Sequence, residues 1–156
     1  MRIRPVELED VGALARLYVA VFEREPWNEA WEVSWAEDRL GMICRSPGYR
    51  GFLAEGPEGA LGAVLGRSLP FQGRDEFELV EFFVAPGCQG IGIGSRLLSH
   101  LEGVLRGEGF ASVVLITGRG IGAEAFYRKR GYRVSEGMVL MARRLSPGDA
   151  PASGPG

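Results

Sequence analysis

The chain has 156 residues, 46% hydrophobic and 24% charged, with a formal net charge of −2. That suffices for one domain with a single sizeable core, and no basic surplus or charge block marks a nucleic-acid or membrane partner. Two cysteines, Cys44 and Cys88, and one histidine, His100, exclude a disulfide framework, a cysteine–histidine metal centre and the usual histidine-dependent hydrolases.

A reduced, cytoplasmic setting is the plain expectation, since residues 1–5 lack the apolar core of a signal peptide. Residues 1–6 read as a short strand. From Asp10 the apolar residues Val11, Leu14, Leu17, Tyr18, Val21 and Phe22 recur at helical spacing, with Asp10 as cap, and Pro26 ends the helix. After a segment carrying Trp27, Asn28, Glu29 and Trp31, a second helix is expected over residues 34–45. Strands follow at residues 49–55 and 60–69 around the turn 56–59, and at 77–84, where Ala85-Pro86-Gly87 stops the run. A glycine-rich loop then enters a helix with Leu97, Leu98, Leu101, Val104 and Leu105 on one face, closed by Gly107 and Gly109. Residues 111–117 form a buried-strand run, 123–130 a short helix and 137–145 a last strand. Residues 146–156, rich in Pro, Gly, Ser and Ala, read as a disordered tail. Strands in a run and then in alternation with helices imply an α/β chain, with a mixed sheet and helices on both faces, in a single domain over residues 1–145.

The loop Gln89-Gly90-Ile91-Gly92-Ile93-Gly94, with Ser95 opening the helix, carries the most specific chemistry. A helix start leaves backbone N–H groups unpaired and bears roughly half a positive charge, and glycines let the backbone approach an anion closely. Strand, loop and helix together suit a pyrophosphate. A dinucleotide fingerprint would need an early βαβ unit and a later acidic residue, and a Walker loop would need Gly-Lys-Ser or Gly-Lys-Thr; neither is present. A glycine turn that merely starts a helix is the bland alternative.

Val84-Ala85-Pro86 followed by Gln89-x-x-Gly92-x-Gly94 resembles the coenzyme-A motif of the GNAT superfamily of N-acetyltransferases. An independent stretch, Ala123-Glu124-Ala125-Phe126-Tyr127-Arg128-Lys129-Arg130-Gly131-Tyr132, resembles that family's closing motif, one helix and one strand further on. The resemblance implies a central mixed, mostly antiparallel sheet of six to seven strands with about four helices on both faces. It implies acetyl-CoA as cofactor, its pyrophosphate on Gln89, Gly90, Ile91, Gly92, Ile93, Gly94 and Ser95 and its pantetheine arm along Phe82, Phe83 and Val84, with Phe126 beside it. Departures are Ile91, where the family often has a basic residue, Gly87 and Cys88 where it has an acidic or aromatic pair, and Gly120 in place of an asparagine.

Acyl transfer from a thioester to an amine needs a proton acceptor for the amine, donors for the developing oxyanion and a proton for the leaving sulfur. By resemblance Tyr127 is the general acid. Glu81 is the candidate base, because a carboxylate within the strand 77–84 stands out among apolar neighbours; Glu78 and a water chain are alternatives. By resemblance the oxyanion donor is a backbone N–H near Phe82 or Phe83, where the family's strand carries a bulge.

The resemblance also walls the acceptor site with the segment between the first two helices and the turn before the CoA strand, which places Trp27, Glu29, Trp31 and Glu76 there. Aromatics with carboxylates suit a cationic amine. The acceptor is thus a primary amine of a small molecule, aminoglycoside- or polyamine-like, or of a peptide, attacking directly in a ternary complex; no metal is required. For Trp35, core or dimer packing is the better reading, and a homodimer stays open. The competing reading is an acyl-CoA-binding sensor, or a degenerate module without turnover.

Overall fold

The computed structural model describes residues 1–145, so the expected disordered tail at 146–156 lies outside the described residues. They fall into two compact units, Met1–Thr117 and the residues from Gly118 onward.

The first unit holds one five-stranded sheet in the order β1 (Arg2–Pro5), β2 (Arg50–Gly56), β3 (Gly59–Phe71), β4 (Arg74–Val84) and β5 (Ser112–Val114). The first three pairings are antiparallel, and β4 with β5 is parallel. Helices α1 (Val11–Phe22) and α2 (Val33–Cys44) precede β2, and α3 (Ile93–Gly107) makes the crossover from β4 to β5. The expected mixed, mostly antiparallel sheet is therefore present with five strands rather than six or seven.

The missing strand is the one expected over residues 137–145. Its apolar run is there, but the run has no ladder partner among the described residues, and Met138, Val139, Leu140 and Met141 are 75–85% exposed. An apolar pattern supplies one side of a ladder; the other side must come from elsewhere in the chain.

Cross-strand register sets what each face carries. Leu53, Ala63, Leu65 and Phe83 join Leu14, Tyr18, Phe22, Ala36, Leu40 and Ile43 of α1 and α2 in one buried cluster. On the other face Leu97, Leu98, Leu101 and Leu105 of α3 are at most 2% exposed, each burial contributing roughly 1.5–3 kcal/mol. Phe52 on this face meets His100 at 4.6 Å between rings.

Asp10 does not cap α1 by a side-chain bond. Its carboxylate instead accepts the Glu7 N–H at 2.9 Å and both outer guanidinium nitrogens of Arg4 at 2.8 Å, tying β1 to the turn before α1.

Candidate active site

β4 carries a bulge. Leu65 pairs with Glu81 and the next residue, Gly66, pairs with Leu79, so Val80 is extra. A Cβ at residue 66 would run into the Glu78 carbonyl oxygen and the Phe77 ring, and only glycine lets the two backbones approach this closely. One extra residue also exchanges the faces. Phe77, before the bulge, packs on Phe110 just beyond α3 at 5.8 Å. Phe83, after it, packs on Tyr18 and Phe22 of α1 at 5.4 and 6.3 Å. The bulge lies at Val80, slightly ahead of its expected place near Phe82 and Phe83, and it turns Glu81 toward α1 and α2.

Glu81 is 5% exposed and is the one buried charged residue among those described. Arg39 of α2, 42 residues away in sequence, donates Nε–H to Glu81 Oε1 at 2.5 Å. The guanidinium carbon of Arg39 sits 5.7 Å from the centre of the Trp31 ring, within cation–π range. The Tyr18 hydroxyl of α1 also acts on the carboxylate. Burial pushes the Glu81 carboxyl up from its ordinary range, and the charge of Glu29 adds to this; the charge and hydrogen bond of Arg39, then the Tyr18 hydroxyl, pull it back. Burial, then the Glu81 charge, likewise raises the Tyr18 phenol.

Neither Arg39 nor Tyr18 is among the site residues expected from sequence. Tyr18 hides in the apolar stripe of α1. Arg39 sits three residues after Ala36 and four before Ile43, on the flank of the buried face of α2, a position where an arginine is ordinary.

The loop after β4 is built from backbone. Pro86–Cys88 forms one 3₁₀ turn, with the Cys88 N–H donating to the Ala85 carbonyl at 2.8 Å. Gln89 spends its side-chain amide on the Val84 carbonyl at 3.0 Å, stapling the loop to the strand. Gly90 and Gly92 have φ of +77° and +92°. At residue 92 a Cβ would meet nothing within 4 Å, so the left-handed conformation, not space, calls for glycine there. Gly92 caps the fifteen-residue α3 without a side-chain bond, and the positive end of that helix opens at the loop. Gly94 and Ser95 are half-buried in the first turn; Ile93 is buried and anchors it, while Ile91 at the tip is 73% exposed.

Along the strand, Phe82 and Val84 are half-buried and Phe83 is buried. The ladder of β4 with β5 covers only Glu76, Phe77 and Glu78, whereas its ladder with β3 runs to Val84. Residues 80–84 therefore have no β5 residue opposite them among the described residues. The glycine loop and an extended segment of this kind fit a pyrophosphate with an extended amide-bearing arm.

The acceptor-side residues do not all converge. Trp31 donates its indole N–H to Glu29 at 2.5 Å and meets Tyr18 edge-on at 5.1 Å. Trp27 packs on Phe22 at 5.5 Å. These three residues share the neighbourhood of Glu81 through Tyr18, Phe22 and Arg39. Glu76 lies five residues back along β4, roughly 16 Å by strand rise, and accepts the Ser112 hydroxyl at 2.9 Å. Trp35 is 53% exposed and is not in the core.

In the second unit, α4 (Gly122–Arg128) carries Phe126 and Tyr127. Tyr127 is 8% exposed, with the Phe126 and Tyr132 rings at 5.4 and 5.3 Å, and its carbonyl accepts the Tyr132 N–H at 3.2 Å. Arg130 stacks on Phe126 at 3.7 Å. Glu124 accepts the Gly120 N–H at 2.6 Å and the Arg128 Nε–H at 2.8 Å, securing the helix start.

No helix among the described residues is long and apolar enough to cross a membrane. No curated protein matches the chain. Among solved structures, the fold is similar to a possible acetyltransferase from Clostridium difficile 630, at TM-score 0.79 and 11% identity over 93% of this chain and 98% of that one. It is similar to an aminoglycoside acetyltransferase from an uncultured soil metagenomic sample, solved with sisomicin, at TM-score 0.72 and 18% identity over 93% and 96% of the two chains. It is also similar to a Trypanosoma brucei acetyltransferase, at 0.67 and 20% over 91% and 99%. At these identities the likeness carries the fold, but the sequence model of the acetyltransferase (GNAT) family matches residues 9–132, most of the chain, and the chain belongs to that family.

Proposed function

We propose that this acetyltransferase moves an acetyl group from acetyl-CoA to a primary amine of a small molecule, aminoglycoside- or polyamine-like, or of a peptide, by direct attack in a ternary complex. The observation that carries this reading is a buried carboxylate, Glu81, at a bulge on the strand that leads into a glycine loop at a helix start. Acetyl-CoA supplies a thioester whose carbonyl carbon the amine attacks. Glu81 takes the proton that the amine nitrogen must lose as its bond to carbon forms. A β4 backbone N–H near the bulge meets the charge growing on the oxygen. As the carbon–sulfur bond breaks, Tyr127 gives its phenol proton to the sulfur; its place in the closing motif supports that role. Gln89, Gly90, Ile91, Gly92, Ile93, Gly94 and Ser95 hold the pyrophosphate, Phe82, Phe83 and Val84 line the arm with Phe126, and Trp27, Glu29 and Trp31 wall the amine side. Glu76 would contact only an acceptor extending toward β5.

Two free cysteines suit a reduced, cytoplasmic setting, and a homodimer would cover Trp35. The reading is tested by thiol release from acetyl-CoA with a panel of amines, where Tyr127→Phe should slow release at least tenfold without weakening cofactor binding. The second reading, an acyl-CoA-binding module without turnover, draws on the exposed apolar Ile91 at the loop tip. It predicts that acetyl-CoA raises Tm while every amine leaves thiol release at background.

A further inference from the structure

Arg39 is the least expected member of the cluster around Glu81. It comes from α2, whose inward residues Ala36, Leu40 and Ile43 are apolar core, and reaches Glu81 from the edge of that face with its side chain 45% exposed. Its Nε–H is committed to Glu81 Oε1, and its guanidinium carbon lies over the Trp31 ring, 5.7 Å from the ring centre. Trp31 is itself held, its indole N–H on Glu29 and its ring edge on Tyr18. A chain of contacts therefore runs from Glu29 through Trp31 and Arg39 to the carboxylate, and Tyr18 closes it from α1. This changes the meaning of two residues proposed as acceptor walls: Trp31 and Glu29 also support the group that faces the base.

We propose that Arg39 is a positioning residue for acetyl transfer, holding the Glu81 carboxylate in one orientation and in its charged form. The inference rests on the reading of Glu81 as base. The physical need is plain, because a carboxyl this buried is driven toward its neutral form, and a neutral carboxyl cannot take a proton from an amine. The charged or titratable groups facing Glu81 are Arg39 from α2, Tyr18 from α1 and Glu29 from the segment between the helices; across β3 it faces only Leu65. Arg39 is the sole cation in that set. Its guanidinium spreads the charge so that Nε–H meets the carboxylate while the central carbon stays over Trp31, which a single lysine ammonium cannot do, so a lysine would restore charge without that second contact.

The experiment follows the Glu81 carboxyl directly by carbon NMR of the full chain with labelled glutamate, using Glu81→Gln to identify the resonance. Arg39→Gln should raise the Glu81 titration midpoint by about one pH unit, the low end for loss of an opposite charge because Arg39 is partly exposed. Arg39→Lys should recover part of that, and Trp31→Leu should raise the midpoint by less than Arg39→Gln does. The acid limb of kcat/KM should move with the midpoint in each variant. An unmoved midpoint in Arg39→Gln, in protein whose amide spectrum and acetyl-CoA-induced Tm rise are intact, overturns the inference. A midpoint that moves while the acid limb stays put overturns Glu81 as the base instead. Should Arg39→Gln fail to fold, Arg39→Lys and Trp31→Leu carry the same test, and unmoved midpoints in both overturn the inference equally.

Discussion

The glycine loop at residues 89–95 and the cluster around Glu81 sit within one short stretch of chain, yet they are made of opposite materials. The loop is backbone: positive-φ glycines, a helix start and a Gln89 staple that uses its side chain on the fold itself. The Glu81 cluster is side chain: a carboxylate, a guanidinium, a phenol and an indole from β4, α2, α1 and the segment between the helices. Phosphate oxygens are satisfied by amides that any glycine-permissive loop can offer. A base must instead be tuned, and tuning needs particular charges brought to a dry position. The two regions should therefore fail in different ways.

The largest separation is expected from Glu81→Gln. On the proposed role of Glu81 as base, it should lower kcat by about 10²- to 10⁴-fold, while acetyl-CoA still raises Tm as in the wild type. Measured thiol release against a Tm titration checks both halves, and a parallel loss of cofactor binding would erase the division between the regions.

Gly92→Val should fail the other way. Residue 92 is at φ +92° in open space, so the penalty is conformational: roughly 1–2 kcal/mol for a side-chain-bearing residue, more for a β-branched one. About tenfold weaker acetyl-CoA binding is expected, with the acid limb of the pH–rate profile unmoved because Glu81 and its partners are untouched. Calorimetric Kd values and a pH series decide it.

These two variants also mark what was legible in the chain itself. The loop could be read because its information is local: three glycines at fixed offsets, a strand before and a helix after. Glu81 could be singled out as a carboxylate among apolar neighbours, but its direction could not. Alternation along Leu79, Val80 and Glu81 puts Leu79 and Glu81 on one face, and only the pairing of Leu65 and Gly66 across β3 shows that Val80 is extra. Arg39 was out of reach for a similar reason, since its partner is 42 residues away and the meeting is a product of how α2 packs. The strand expected at residues 137–145 failed through the same gap: composition names a willing strand without naming its partner.

A smaller effect concerns stability. Because burial leads in raising the Glu81 carboxyl above its ordinary range, the folded state holds that proton more tightly than the unfolded chain. Its contribution is complete below the unfolded pKa and is lost as pH rises through the folded one. In Tm measured from mildly acidic to neutral pH, the wild type should therefore lose ground relative to Glu81→Gln, whose amide does not titrate. The same pair of proteins with Gly92→Val as background should show the same relative slope, since loop and cluster are separate devices.

The smallest expected effect bears on whether backbone suffices at the loop. Ile91 stands 73% exposed at its tip, where the family often places a basic side chain. If helix-start amides do most of the phosphate binding, Ile91→Lys adds one solvated charge near an anion, worth roughly 0.2–1 kcal/mol, or at most about fivefold in Kd at low salt. That gain should shrink as ionic strength rises and the screening length falls below the separation of the charges. The loss in affinity of Gly92→Val relative to the wild type should instead be nearly independent of salt, because its defect is one of shape. A gain of a hundredfold for Ile91→Lys would mean that the natural loop is missing its principal phosphate contact, and would move the chain toward the module without turnover. A few-fold, salt-sensitive gain would instead leave Ile91 as a tolerated substitution at a site whose affinity is carried by amides.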